Sequence, residues 1–173
     1  MSVQYLVFLI LFLLSVGIRT TYELLKRTGN PATESRLFIL AVFVAMFMMW
    51  FCWGAMNPMD PVQVMIPGVL RWAGIVLFVL GLVLIVGSMI QLRRFEGSSR
   101  LVTTGFFSCI RHPMYAGFLL WFVGWPLHFG GVVSFVAGIV GMINILLWKR
   151  WEEKALVATF GEEYRTYQGR TWF

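Results

Sequence analysis

Charge is scarce in this sequence: of 173 residues only 13% are Asp, Glu, Lys or Arg, while 59% are hydrophobic. A soluble domain of this length buries only about 70% of the surface its unfolded chain exposes. That much apolar side chain therefore excludes a water-soluble globule and calls for a bilayer. Cysteine is nearly missing as well. Cys52 in an apolar run and Cys109 in a basic loop give no disulfide framework, and both are expected as free thiols. No metal centre is expected. Acidic residues number 8 against 14 basic ones, a net charge of +6. The basic residues fall in short loops between apolar runs, where headgroup attraction and the topology rule account for them, so nucleic acid is not an expected partner. The first apolar run lacks both a basic leader and a small-x-small cleavage site, so it reads as a retained membrane helix and not as a signal peptide.

Five apolar runs are present: Val3 to Ile18, Leu37 to Met56, Ala73 to Ile90, Met114 to Leu127 and Val132 to Trp148. About 20 residues span ~30 Å of hydrocarbon, and about 17 suffice in a thin or snorkelled case. The fourth run is too short to cross alone. Pro126-Leu127-His128-Phe129-Gly130-Gly131 reads as a tight turn, so the fourth and fifth runs are expected to form a helical hairpin. The loop after the first run, the loop after the third and the tail together hold 13 of the 14 basic residues; Arg71 is the exception. Lys and Arg collect on the cytoplasmic side. The expected fold is thus an all-α integral membrane protein with five transmembrane helices, the last two a hairpin, capped by a cytoplasmic C-terminal helical segment. Its N-terminus is expected outside and its C-terminus in the cytoplasm, in the cytoplasmic membrane. Residues 1–173 form one membrane domain, with a three-helix scaffold over 1–90 and the chemistry over 91–173. In the tail Leu156, Phe160 and Tyr164 share one helical face, and Gly161 is a stop between two short helices.

Polar chemistry concentrates at one water-facing edge. In Arg111-His112-Pro113-Met114-Tyr115, Pro113 suits the first turn of a helix, which puts His112 at the N-cap. A helix start offers free N–H groups and partial positive charge that attract a carboxylate. The alternative is that His-Pro simply begins a helix at the headgroups. Glu152 and Glu153 follow the fifth run at once, where an acidic pair is an odd neighbour for anionic lipid. Either they accept hydrogen bonds from a ligand amino group, or they pair locally, as Lys149 and Glu153 are spaced to do. In Leu101-Val102-Thr103-Thr104-Gly105-Phe106-Phe107 the glycine lets backbone approach a ligand and the rings offer packing, although a loop re-entering the headgroups has the same composition.

Taken together, the Leu-Val-Thr-Thr-Gly loop, Arg111-His112-Pro113-Met114-Tyr115, Glu152-Glu153 and Phe160-Gly161-Glu162-Glu163-Tyr164 resemble the isoprenylcysteine carboxyl methyltransferase and phospholipid N-methyltransferase superfamily of integral membrane enzymes. The resemblance covers Gln91 to Tyr167, nearly half the chain. It implies S-adenosylmethionine (SAM) as cofactor, held by Arg100, Leu101, Val102, Phe107, His112, Pro113, Met114, Tyr115 and Glu152, with Gln91 displaced by one residue from the family spacing. It further implies methyl transfer to a lipophilic small molecule or lipid at the cytoplasmic face, among membrane lipids. For an amine acceptor, His112 or Glu153 is the expected base.

This sequence departs from the pattern at two places. Phe107 stands where the family has tyrosine. Trp148 stands where the prenylcysteine enzymes have an arginine that meets the substrate, and Arg150 is two residues away on a different helical face. Trp148 and Arg150 are thus the candidate substrate residues. With no fixed counter-charge at Trp148, a neutral, amine or thiol acceptor is expected in preference to a carboxylate. Other readings are a phosphatidylethanolamine-type N-methyltransferase, an isoprenylcysteine-type carboxyl methyltransferase, or a non-catalytic scaffold of the same fold. The first, second, fourth and fifth runs hold no ionisable residue, which argues against a carrier.

Overall fold

The computed structural model describes residues 1–93 and 100–173; Arg94, one of the basic loop residues counted above, lies outside the described residues. Six α-helices follow in order among the described residues: α1 (Val3–Arg27), α2 (Arg36–Met56), α3 (Gly68–Arg93), α4 (Pro113–Phe129), α5 (Val132–Phe160) and α6 (Glu162–Arg170). The helices outrun the apolar segments. No glycine or proline interrupts Arg19 to Arg27 or Lys149 to Phe160, and straight-chain charged residues are good helix formers. The tail is therefore not two short helices but the last three turns of α5, then Gly161 at φ +54°, then α6. Cys52 and Cys109 are both free.

The expectation of five transmembrane helices is not met. Among the described residues four helices are long and apolar enough to cross a bilayer, namely α1, α2 with its following turn, α3 and α5. Helix α4 has 17 residues and is not among them. At 1.5 Å per residue it rises about 25 Å, short of the ~30 Å hydrocarbon layer. Both of its ends are fixed. Pro113 occupies the first turn, and Gly130 ends the helix in the left-handed conformation at φ +74°, its N–H donating to the Pro126 carbonyl. The turn is also tighter than expected, because α4 continues through Pro126 to Phe129 and leaves only Gly130 and Gly131 to reach α5.

Helix α4 is instead laid along α3 at backbone contact. Gly74 faces Gly124 and Gly81 faces Gly117, both pairs seven residues apart on each helix. A Cβ on any of the four would stand 2.6 Å from the carbonyl oxygen of its opposite glycine. Small residues at such a crossing let two helices approach without lipid between them. Trp121 donates its indole N–H to the Phe78 carbonyl at 2.9 Å and stacks on the Phe78 ring, which closes the seam between the glycine pairs. On the other side of α4, Trp50 and Trp53 of α2 pack against Phe118 and Phe122. Apolar side chains such as Phe43, Phe47, Val79 and Leu80 point outward, as a lipid-facing surface requires.

The two ends of the bundle differ. At one, the α2–α3 connection pairs with the α4–α5 turn through Val64 N to Gly130 O and Val132 N to Val62 O. There buried Asp60 accepts the Ser134 and Val133 N–H groups and caps α5. At the other end α1 finishes, α4 begins, and α5 runs into α6. Helices α1 and α5 run in the same direction: Tyr5 meets Ser134 at 3.2 Å, Thr20 donates to Asn144 at 2.8 Å, and the Arg19 and Arg27 guanidinium groups lie over Trp148 and Trp151.

The glycine contact makes a direct test of this packing. Gly81→Leu should destabilise the protein by about 1–3 kcal/mol, towards the upper end because the obstacle is backbone and cannot rotate away. Gly17→Leu, where a Cβ meets nothing within 4 Å, serves as the control and should leave the melting temperature unchanged or slightly raised. Thermal unfolding in detergent that ranks the two variants equally would refute the close α3–α4 contact.

Candidate functional site

His112 is the N-cap of α4 and Pro113 its first residue, but the His112 side chain makes no capping hydrogen bond. The helix start is left open and faces a cavity of about 240 Å³. That lies just below the ~300 Å³ at which small-molecule sites begin. One wall is the loop before α4, through Arg100, Leu101, Val102 and Phe107. The second is the start of α4, through Arg111, His112, Pro113, Met114 and Tyr115. The third is the end of α5 and α6, through Glu152, Leu156, Phe160, Tyr164 and Tyr167, with Leu92 of α3 closing the gap.

The loop wall is held by Gln91 from behind and by Tyr167 across the cavity's own lining. Gln91 donates to the Thr104 carbonyl at 2.6 Å and accepts the Phe106 N–H at 3.0 Å, and Tyr167 donates its hydroxyl to the Phe107 carbonyl. The start of α4 is held by the chain's last residues. Trp172 pairs with Cys109 and Arg111, and His112 donates its N–H to the Phe173 carbonyl at 3.2 Å. Arg111 donates to the Gln168 and Thr171 carbonyls and to Glu153 at 3.1 Å.

Adjacent glutamates on α5 meet different surroundings. Glu153 is gathered in by Arg111, by Lys149 at 3.9 Å and by His112 Nε2 at 3.5 Å, and it does not line the cavity. Glu152 contacts no arginine or lysine within ion-pair distance among the described residues. Its carboxylate faces the cavity with its side chain 48% exposed, 3.8 Å from His112 Nδ1. Burial pushes the His112 imidazole down to about 4, helped by nearby Lys149 and Arg111 and opposed by Glu153. His112 is therefore neutral at pH 7, and its contacts with the two glutamates are dipolar, not ionic. Burial raises the Tyr115, Tyr164 and Tyr167 phenols; the Glu152 charge raises Tyr115 further. All three stay protonated. The Tyr164 hydroxyl is buried without a hydrogen-bond partner among the described residues, and His112 Nε2 has only the long Glu153 contact at 3.5 Å. An unpaired buried polar atom costs about 1–3 kcal/mol, and native sites accept that cost where a ligand completes them.

Of the residues expected to hold a cofactor, nine stand around this cavity, and Gln91 braces its loop from behind. The expected base Glu153 is outside it. Trp148 faces a second cavity, of about 340 Å³, and Arg150 is exposed and lines neither. The two cavities share a wall made by Tyr115 and Glu152. Leu156, Phe160 and Tyr164 were visible in the sequence as a helical face without an assigned partner; that face is a cavity wall. Leu92 and Tyr167 carried no sequence signal for this site.

A family profile described as phospholipid methyltransferase matches residues 69–163, from the first turn of α3 to the start of α6. Among curated proteins, the protein-S-isoprenylcysteine O-methyltransferase of Schizosaccharomyces pombe is 35% identical over 74 residues, 39% of this chain and 29% of that protein. The methanethiol S-methyltransferase of Pseudomonas deceptionensis is 42% identical over 73 residues, 42% of this chain and 26% of that protein. The methanethiol S-methyltransferase of Mycobacterium tuberculosis is 28% identical over 156 residues, 80% of this chain and 62% of that protein. In each case the chain covers less than two thirds of the relative's length. No solved structure matches it. The profile covers the loop, the start of α4 and the end of α5 with Glu152, and on that match the chain belongs to the phospholipid methyltransferase family.

Proposed function

We propose that this protein transfers the methyl group of SAM to a lipophilic small molecule or lipid at the cytoplasmic face of the membrane. The observation that carries the reading is the pairing of opposites in one cavity, an open α4 start against the Glu152 carboxylate, which no lysine or arginine among the described residues meets within ion-pair distance. A zwitterionic amino-acid end fits that pairing. Its carboxylate is drawn to the N–H groups of Met114 and Tyr115, its ammonium to Glu152. Leu101, Val102, Phe107, Leu156 and Phe160 provide the apolar walls for an adenine ring. Bound there, SAM supplies an electrophilic methyl group on a sulfonium. The residues contribute positioning and exclusion of water, and an amine or thiol acceptor gives up its proton to solvent. Glu153, tied to Arg111 and Lys149, fixes the loop and the start of α4 in register.

Loss of one charge-assisted hydrogen bond costs about 1.5–3 kcal/mol, roughly a tenfold to hundredfold rise in dissociation constant. Glu152→Gln should weaken SAM binding by that amount in titration calorimetry. Glu162→Gln, exposed at the start of α6, should not. Unaltered affinity in Glu152→Gln would remove the assignment.

The pH dependence has a definite sign. Because the folded-state His112 value lies near 4, below the ordinary 6.5, the imidazole takes no proton as pH falls from 8 to 5.5. His112 should therefore contribute no break to SAM affinity over that interval. A break near pH 6.5 that disappears in His112→Gln would show that burial does not hold the ring neutral.

We also propose an external N-terminus and a cytoplasmic C-terminus. Support comes from the parallel run of α1 and α5, which puts their starts at one end and their finishes at the other, where the basic residues gather. Exposed Cys109 lies at the second end, and buried Cys52 gives little background. A membrane-impermeant maleimide should label Cys109 only in opened cells; labelling in intact cells would overturn the orientation.

A further inference from the structure

The second cavity lies between the end of α1 and the end of α5, on the far side of the Tyr115 and Glu152 wall. The sequence suggested that no fixed positive charge stands at Trp148. The structure brings one from α1: the Arg19 guanidinium lies over the Trp148 ring, 5.1 Å from its centroid. Its side chain is 14% exposed. Nη1 reaches Glu23, one turn along α1, while Nε is buried and meets no acceptor among the described residues. The same guanidinium lies 5.4 Å from the Tyr22 ring centroid, and Arg19 lines the cavity. Lys26 and Arg27 border the same space, and Arg27 is held over Trp151 at 4.9 Å. If Glu152 is committed to the cofactor, Glu23 alone faces three cations. The space is thus short of negative charge, partly desolvated, and separated from the cofactor cavity by one tyrosine and one glutamate.

We propose that this second cavity receives the methyl acceptor, that Arg19 selects it, and that the acceptor carries a carboxylate or phosphate oxyanion near the atom to be methylated. The inference rests on the SAM reading above. In the transfer, the acceptor's thiol, amine or carboxylate atom bonds to the methyl carbon, and the carbon–sulfonium bond breaks with its electron pair left on sulfur. Any proton on the acceptor passes to solvent. Arg19 does not touch the reacting atoms; it anchors the oxyanion so that the nucleophile lies beside Tyr115 and Glu152. Its loss should therefore appear in KM for anionic acceptors and not in SAM affinity.

The test uses the full-length protein in detergent with methyl-labelled SAM and two matched pairs of acceptors. One pair is hexadecanethiol and 2-mercaptohexadecanoic acid, which differ by a carboxylate; the other is hexadecylamine and phosphatidylethanolamine, which differ by the phosphate-bearing headgroup. In at least one pair the anionic member should have a KM about 10-fold to 100-fold lower, and which pair shows it tells carboxylate from phosphate. Arg19→Gln should abolish that difference, while Arg19→Lys should keep part of it, with SAM dissociation constant and melting temperature unchanged in both. Should Arg19→Gln fail to fold, the Arg19→Lys variant and the wild-type pair comparison still decide. Equal KM within both pairs, reaction of neutral members only, or bound SAM with no acceptor methylated would each overturn the inference and leave the cofactor reading standing. Failure of wild-type protein to bind labelled SAM would instead overturn the cofactor reading itself.

Discussion

The backbone contact between α3 and α4 is the constraint on which the cavity end depends. Two glycine pairs, each seven residues apart, bring the helices so close that neither can slide or rotate without driving Cα into carbonyl oxygen. Helix α4 cannot be anchored by its own passage through the bilayer, since 17 residues fall short of the hydrocarbon thickness. It is anchored by α3. Because Gly117 lies four residues after Pro113, the lower glycine pair fixes the level at which α4 starts, and so the level at which its free N–H groups meet Glu152. The same contact frees the opposite face of α4 for Trp50, Trp53, Phe118 and Phe122, which tie it to α2.

The start of α4 is also held from the water side. Arg111 spends its donors on Glu153 and on carbonyls of residues 168 and 171, and the backbone of Trp172 and Phe173 takes the N–H groups of Arg111 and His112. These bonds are made by segments about 60 residues apart in the chain. They leave His112 clamped by its backbone while its ring is stripped of water, which is the cause of its lowered proton affinity. A ring held this way is a neutral dipole whose Nε2 faces Glu153 at 3.5 Å.

Much of this was legible in the sequence, for specific reasons. Loop residues 100–102, Phe107, the segment from His112 to Tyr115, and Glu152 are short-range blocks whose residue types announce a helix start, a close backbone approach and an interfacial carboxylate. The structure gathers them round one space. The helix count was not legible. Hydropathy locates apolar runs but does not tell a crossing helix from a shorter one laid on its neighbour, and Gly74, Gly81, Gly117 and Gly124 looked like ordinary membrane glycines until their opposites were known. Arg19 was hidden for a related reason. It was counted as a loop cation, whereas the continuation of α1 through Glu23 to Arg27 puts it on a helix face against Trp148, 129 positions later in the chain.

Glu152 and Glu153 show why residue type alone could not assign roles. Successive residues on a helix point about 100° apart, so two identical side chains at the end of α5 look into different spaces. Glu153 turns towards Arg111 and Lys149 and has its charge neutralised there. Glu152 turns towards the wall shared by both cavities and meets no arginine or lysine within ion-pair distance among the described residues. A carboxylate on that wall favours a cation in the first space, while in the second it stands against Arg19, Lys26 and Arg27 of α1. A cationic cofactor and an anionic acceptor would then sort themselves into neighbouring cavities by charge before any contact with the reacting atoms is made. Tyr115, kept protonated by burial and by the same glutamate, adds a ring to the partition without adding charge, so that the electrostatic division between the two spaces rests on Glu152 facing Arg19.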